Sequence, residues 1–248
     1  PNASSAMDKH KAMVRYTDKI LGRFIAKLDE LKIRDNTMIV WVTDNGTDTT
    51  ITGSLKGRTV RGEKGNTAEP GLCVPYIVSA PGLVPQGVVT DALTDVTDLL
   101  PTFAELGGGK LQEGYVYDGK SIAAHLLGKS DDTQRTWILG MGGKNDAKLT
   151  DQGVENRFAF RDRVLREKRF KLYVNPQREA EKLIDVLADP AEQTNLINSS
   201  DPEAKAALAR LKPLIASFPE RDNDPIYDRL PDQAWDVPVT GKSQVWKE

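Results

Sequence analysis

The chain has 248 residues, 39% of them hydrophobic and 28% charged, which is typical of a folded globular protein. Its 34 basic and 36 acidic residues give a formal net charge of -2, so the charge balance argues against a nucleic-acid-binding protein. No apolar run approaches the ~20 residues of a transmembrane helix. The single cysteine excludes an internal disulfide framework.

The first predicted element is a helix from Met7 to Lys32, because its apolar residues recur at spacings of three and four. Two apolar segments, 38–43 and 74–80, predict buried strands. Between them lies a polar segment, 46–71, with six glycines. We predict a long loop there, and loops of that length are usually functional or disordered.

Further helices and strands are predicted toward the carboxyl end. They are a helix at 95–106, a short helix at 121–127, a strand at 136–141, an antiparallel pair at 158–165 and 169–174, a strand at 182–186 and a helix at 202–218. Pro101 fits the first turn of its helix, and Pro213 predicts a kink. For the last thirty or so residues we expect an extended, wrapping tail.

The candidate site lies where the first predicted strand ends, at Thr43-Asp44-Asn45-Gly46. Asp44 and Asn45 offer a carboxylate and an amide carbonyl side by side, which suits a hard cation such as Ca²⁺ or Mg²⁺. Asp-Asn-Gly is also ordinary turn chemistry. From this tripeptide alone, a strand-end turn is the preferred interpretation.

Several segments, in this order along the chain, resemble the sulfatase family of the alkaline-phosphatase-like superfamily. They are Ala12–Asp18 with Gly22-Arg23, Asp35-Asn36-Thr37 with Thr43–Gly46, Arg61–Thr67 with Val74-Pro75 and Pro81-Gly82, Thr97–Thr102, Asp118–Ser121, Phe170–Tyr173 and Asp189–Leu196. Each segment is modest alone, and their common order and spacing make the resemblance specific.

The resemblance implies an α/β fold in two parts. Residues 1–130 would form part of an alkaline-phosphatase-like sandwich, with some strands of a central mixed sheet and flanking helices. Residues 131–248 would form a smaller antiparallel α+β subdomain with a helix and the extended tail. The family resemblance is compatible with a periplasmic or secreted protein, although no signal region is recognisable in residues 1–7.

The resemblance also implies a mechanism and its residues. Family members hydrolyse sulfate esters with a formylglycine nucleophile and a bound Ca²⁺. Asp44 and Asn45 match two of the family's metal ligands, and Lys64 matches the catalytic lysine that contacts the sulfate group. The expected substrate is a sulfated small molecule or carbohydrate. Glu63, beside Lys64, replaces a frequent glycine and adds negative charge there.

Other family features are missing from this sequence. No Cys/Ser-x-Pro-x-Arg motif, which yields formylglycine, precedes the predicted strand at 38–43, and residues 217–221 fit this pattern only near the carboxyl end. The family's early Asp-Asp ligand pair, active-site histidine and second lysine are missing as well. In family members these lie upstream, and the chain does not start with Met. We therefore expect a carboxyl-terminal portion that binds metal weakly, is inactive alone, and associates with an amino-terminal half or with itself.

Two alternative functions stay open. The chain could belong to a phosphodiesterase or phosphonate hydrolase of the same superfamily, whose metal loops are similar. It could also be a non-catalytic remnant that binds an anion or a partner, which would expose a large apolar face.

Other reactive residues have simpler explanations. Arg58 and Arg61 are assigned to a solvated loop face, His10 to an exposed helix face and His125 to helix packing. Cys73 is predicted to be a small core residue. Asp98 is predicted to cap a helix or place charge at its start.

Overall fold

The computed structural model describes residues 5–142, 148–150, 153–155 and 158–222. The α-helices are α1 (Ala6–Glu30), α2 (Glu69–Leu72), α3 (Leu99–Leu106), α4 (Ala123–Leu126) and α5 (Pro202–Leu211), with 3-10 helices at Arg34–Asn36, Val96–Asp98 and Lys212–Ser217. The strands are β1 (Ile39–Val42), β2 (Thr52–Leu55), β3 (Arg58–Arg61), β4 (Tyr76–Ser79), β5 (Ile138–Met141), β6 (Lys148–Thr150), β7 (Gly153–Glu155), β8 (Arg163–Arg166), β9 (Phe170–Val174) and β10 (Ala180–Asp185). Most of the predicted wrapping tail lies outside the described residues.

The long helix α1 confirms the predicted amphipathic helix to within two residues at each end. Ser5 caps it, because the Ser5 hydroxyl oxygen accepts the Asp8 N–H at 3.1 Å. No residue of α1 is buried, and Met13 and Phe24 are 71% and 64% exposed. The apolar stripe that predicted the helix is therefore largely uncovered by the described part of the chain.

Strands β1 and β4 pair antiparallel, with Val42 opposite Tyr76. This pairing places the residues that follow β1 beside the residues that precede β4. Every pairing between described strands is antiparallel. The mixed sheet expected for residues 1–130 needs a parallel pair as well, and none occurs among these strands.

The prediction of an unbroken loop over 46–71 is wrong. Strands β2 and β3 form an antiparallel hairpin inside that segment, and α2 follows it. Lys56 and Gly57 make the two-residue turn with φ of 51° and 81°. Two positive φ angles are typical of the tight turns that match the twist of hairpin strands. The hairpin strands are four residues long, too short for their alternation to stand out among the glycines.

The main core lies in the four-stranded sheet β10-β9-β8-β5 and the helix that covers it. Leu165, Leu172 and Leu183 are fully buried in this sheet, and they pack with Ala207 and Leu211 of α5. Alternating strand residues thus meet one face of an amphipathic helix, as a two-layer α+β arrangement requires.

The predicted antiparallel pair at 158–165 and 169–174 is confirmed, but its first strand starts later, at Arg163. The reason is a contact with Asp222. The Asp222 N–H donates to the Ala159 carbonyl at 2.7 Å, and the Arg161 N–H donates to Asp222 Oδ2 at 2.9 Å. These backbone groups therefore bond to Asp222 before the strand begins.

The chain is mixed α/β, and its described sheets are antiparallel. The four-stranded sheet and α5 fall inside the predicted subdomain of residues 131–248, while the boundary near residue 130 stays a prediction. Among the described helices, none combines the length and the apolar composition that crossing a membrane requires.

Candidate functional site

Asp44 and Asn45 lie immediately after β1, as predicted. Asp44 is exposed and Asn45 half-buried. The Thr43 hydroxyl donates to the Asn45 carbonyl at 3.1 Å, which shapes the bend. Neither the Asp44 carboxylate nor the Asn45 side-chain amide makes a hydrogen bond or ion pair with another described residue. Both side chains thus keep oxygen atoms available for a cation or for water.

The loop after β1 is held against α2 by a close backbone approach. The Gly46 N–H donates to the Gly71 carbonyl at 3.0 Å. A Cβ at Gly46 would lie 2.0 Å from the Pro70 carbonyl oxygen, so only glycine fits there without movement of the backbone. The position of Asp44 and Asn45 therefore depends on where α2 lies.

The segment that carries Lys64 packs against the same short helix. A Cβ at Gly71 would lie 2.4 Å from both the Glu63 and the Asn66 carbonyl oxygens. The Lys64 N–H donates to the Thr47 carbonyl at 2.9 Å, which joins this segment to the loop after β1. The two predicted site segments are thus neighbours.

The Lys64 side chain is exposed, and its ammonium makes no hydrogen bond or ion pair with another described residue. Its charge acts on Asp48, whose pKa is lowered mainly by the Thr50 N–H and hydroxyl and to a smaller extent by Lys64. The neighbouring Glu63 carboxylate accepts the Asn66 amide at 2.6 Å instead of pairing with Lys64. Lys64 is therefore an exposed cation without a partner among the described residues, beside the loop that carries Asp44 and Asn45.

A cavity of ≈ 500 Å³ opens beside Asp44 and Asn45. Its lining also includes Tyr76, Gly140 and Arg166, so residues from both parts of the chain enclose it. Lys64 is not among the lining residues. The structure brings Asp44 and Asn45 to the cavity and leaves Lys64 outside it.

A charged cluster that the sequence reasoning missed forms one wall. Glu69 of α2 pairs with Arg166 of β8 at 3.1 Å, and Lys171 of β9 lies 3.3 Å from Glu69. Burial would raise the pKa of Glu69, but Arg166 and Lys171 hold it below its usual value. A lysine inside the apolar run Phe170–Val174 was the available signal, because a buried lysine needs a partner.

The remaining predictions have different outcomes. The Asp98 carboxylate accepts the Asp95 N–H at 2.9 Å in the capping box of the 3-10 helix Val96–Asp98 and also pairs with Arg135, but it makes no capping bond to α3. The prediction that Cys73 is a small core residue is wrong, because Cys73 is exposed at the end of α2. Its strand starts only at Tyr76, so the residue falls outside the buried run.

Both histidines are half-buried, and His125 Nδ1 lies 3.0 Å from the Ser130 carbonyl. Arg58 and Arg61 are exposed, as expected of a solvated face. Within the described ranges, no group of three or more His, Cys, Asp or Glu residues is arranged to hold a metal ion. Asp44 and Asn45 alone offer fewer oxygen donors than a Ca²⁺ site requires.

The family model and the curated relative are both sulfatases. The family model described as Sulfatase matches residues 2–109. The chain is 25% identical over 234 residues to an ulvan-active sulfatase of Formosa agariphila. This alignment covers 83% of this chain and 42% of that protein. The chain thus spans about two fifths of the length of that curated relative.

Solved structures share the fold. One is BT4656 in complex with its substrate D-glucosamine-2-N,6-O-disulfate, with a TM-score of 0.62, 21% identity and coverage of 82% of this chain and 38% of that one. Another is a phosphonate monoester hydrolase from Silicibacter pomeroyi, with a TM-score of 0.57 and 26% identity. The match covers 81% of this chain and 38% of that one. Residues 2–109 thus match the sulfatase family model, and the chain is similar in sequence to a sulfatase and in fold to sulfatase and phosphonate hydrolase structures.

Proposed function

We propose that this chain is the portion of a sulfatase that supplies two Ca²⁺ ligands, Asp44 and Asn45, and a sulfate-contacting lysine, Lys64. The observation that carries the proposal is the pair of unengaged oxygen-bearing side chains of Asp44 and Asn45 beside the cavity. A packed α2 supports their loop, so the pair is presented on a defined backbone.

The donor chemistry fits calcium, while the number of donors is too small. Carboxylate and amide oxygens are the ligands that Ca²⁺ prefers, and the ion takes six to eight of them. Asp44 and Asn45 together supply two or three. The other ligands would come from the substrate, from water and from residues outside this chain. This portion alone is therefore expected to bind Ca²⁺ weakly.

When bound, the metal would supply positive charge to the sulfate oxygens, and a formylglycine outside this chain would supply the nucleophile. The residues of this chain would orient the sulfate group. Asp44 and Asn45 would hold that metal, and the Lys64 ammonium, a compact charge on a flexible stem, would contact the anionic oxygens. Positive charge placed where negative charge develops is an effective way to lower such a barrier.

A sulfated small molecule or carbohydrate is the proposed substrate class. The solved complex with a disulfated glucosamine and the ulvan-active relative support this choice. An amino-terminal half of the same protein is the proposed partner, with self-association as the other use of the exposed α1 stripe.

A phosphonate or phosphodiester hydrolase is the second candidate, and the structural likeness to the phosphonate monoester hydrolase favours it. The sulfatase family model and the sulfatase relative favour sulfate esters more strongly. The third candidate, a binding remnant without catalysis, accounts for the uncovered α1 but not for the unengaged oxygens at the cavity.

Turnover by the full-length protein that carries this chain separates the candidates. An aryl sulfate, an aryl phosphonate monoester and an aryl phosphodiester would be compared at equal concentration. The sulfatase proposal predicts that the sulfate ester has the highest kcat/KM. A higher value for either phosphorus ester would favour the second candidate, and absence of turnover for all three would favour the remnant.

A further inference from the structure

Glu192 is the central acceptor in a buried cluster that joins the carboxyl-terminal sheet to α2. It is 7% exposed, and its Oε1 lies 3.1 Å from the ammonium of the fully buried Lys171. Its Oε2 accepts the Tyr173 hydroxyl. The carboxylate thus receives two donors from β9, and it still has capacity for a third.

That third donor is the first N–H of α2. The Glu69 N–H donates to Glu192 Oε1 at 2.6 Å. The residue before the helix, Ala68, has no side-chain oxygen to cap it, and the first N–H groups of a helix lack acceptors of their own. Glu192 therefore caps α2 from a distant part of the chain, where a carboxylate also matches the helix dipole.

The backbone at Glu192 is fixed in an uncommon conformation. Its φ is 57°, in the left-handed region that costs free energy for a residue other than glycine. The Glu192 N–H donates to the Asp189 carbonyl at 3.0 Å, and its own carbonyl accepts the Lys182 ammonium. These contacts hold the turn so that the carboxylate points at α2.

The helix that Glu192 caps is the one on which both site segments rest. The Gly71 carbonyl accepts the Gly46 N–H next to Asn45, and a Cβ at Gly71 would lie 2.4 Å from the Glu63 carbonyl oxygen next to Lys64. A shift of α2 would move both segments, because neither backbone approach leaves space for relaxation.

We propose that Glu192 is a positioning residue for the candidate site: through the Glu69 N–H it fixes α2, and α2 fixes the loops of Asp44 and Lys64. The proposal extends the proposed function and depends on it only for which reaction the site catalyses. The mechanical coupling between Glu192 and the two loops holds for any chemistry at this site.

Amide hydrogen exchange of the full-length protein tests the coupling without any activity assay. In Glu192→Ala we expect exchange in peptides 43–48 and 62–73 to rise about tenfold, the size of effect that loss of a helix cap gives. Tyr173→Phe keeps the bond to Glu69 and is expected to change these peptides much less. The control Glu203→Gln removes an exposed carboxylate of the same subdomain, which pairs with Arg169, and should leave them unchanged.

Two outcomes would overturn the proposal. One is unchanged exchange at 43–48 in a folded Glu192→Ala variant, and the other is an equal rise in Tyr173→Phe. If Glu192→Ala does not fold, Glu69→Pro is compared with Glu69→Ala. Both variants lose the Glu69 carboxylate, and only Glu69→Pro also loses the N–H that Glu192 caps. Proline itself is tolerated in the first turn of a helix. Equal exchange at 43–48 in these two variants would contradict the proposal.

Kinetics of the full-length protein distinguish positioning from general stabilisation. With a sulfate ester, kcat/KM should fall in Glu192→Ala and recover at least partly in Glu192→Gln, because the glutamine oxygen can still accept the Glu69 N–H. Equal losses in both variants would contradict positioning through that bond. If the wild-type protein has no sulfatase activity but the exchange pattern is as expected, the proposed function fails and the coupling stands.

Discussion

Glu69 of α2 and Arg166 of β8 form an ion pair at 3.1 Å in the wall of the cavity that Asp44 and Asn45 also line. The two residues are 97 positions apart in the chain. The pair therefore connects the helix that supports the candidate site with the sheet that forms the main core, and it makes the cavity a joint product of both parts of the molecule.

Removing the Arg166 guanidinium should destabilise the fold. Arg166→Met leaves Glu69 with Lys171 as its remaining cation, and a lost hydrogen-bonded charge pair of this burial costs about 1.5–3 kcal/mol. Chemical denaturation measures the free energy of unfolding. Arg58→Met, at an exposed arginine of the hairpin, is the matched control and should stay within about 0.5 kcal/mol of the wild type. Equal effects at both positions would contradict the role given to Arg166.

Gly46→Ala should lower the melting temperature, because the new Cβ would meet the Pro70 carbonyl oxygen at 2.0 Å. Gly22→Ala is the opposite case. No atom lies within 4 Å of a Cβ at Gly22 in α1, and alanine is favoured over glycine in a helix by about 0.5–1 kcal/mol. Thermal unfolding should therefore shift down for the first variant and up for the second. A Gly46→Ala variant as stable as the wild type would show that the loop is not packed against α2 as described.

The ion pair between Asp222 and Arg163 should make stability depend on acid. Burial would raise the pKa of Asp222, but the Arg163 guanidinium and the Arg161 N–H lower it below its ordinary value of 3.8. A carboxyl whose folded-state pKa is depressed stabilises the fold above its unfolded-state pKa, and this contribution is lost as the pH falls through the folded-state value.

Asp222→Asn should therefore be less stable than the wild type by about 3–5 kcal/mol near neutral pH, since Arg163 is left buried without its partner. The difference should stay constant from about pH 7 to pH 5 and shrink below about pH 4. Unfolding measured across this range checks it. A difference that grows toward low pH would contradict the assignment.

Leu172→Ala should open a cavity in the main core. Leu172 is fully buried between β8 and β10, and a change of this type costs about 2–5 kcal/mol. Leu187→Ala, at a leucine that is 67% exposed, should cost far less. Similar losses of unfolding free energy in the two variants would show that the core lies elsewhere.

Periodicity predicted the elements whose pattern is local. Helix α1 and the strands β1, β4, β5, β9 and β10 lie where apolar spacing placed them, within a few residues. The hairpin of β2 and β3 was missed because its strands are short and its turn is formed by Lys56 and Gly57, a pair that gives a weaker turn signal than Asn-Gly. The late start of β8 depends on Asp222, which no local pattern near residue 160 reveals.

Some residues of the candidate site also have a local sequence signal, and others do not. Asp44 and Asn45 became candidates because a carboxylate and an amide follow a predicted strand, and the family resemblance assigned them and Lys64 to the site. The cluster of Glu69, Lys171 and Glu192 joins residues that are up to 123 positions apart. Its only local trace is charge in a buried strand, and the partner of that charge cannot be read from spacing.

Calcium-dependent turnover of a sulfate ester by the full-length Asp44→Ala variant tests the central claim most directly. We expect Asp44→Ala to lose turnover and added Ca²⁺ in large excess to restore little of it, since the ligand itself is gone. Asp131→Ala, which removes an exposed carboxylate outside the site, should keep wild-type kcat/KM and Ca²⁺ dependence. Wild-type turnover and Ca²⁺ dependence in Asp44→Ala would contradict the assignment of the metal site.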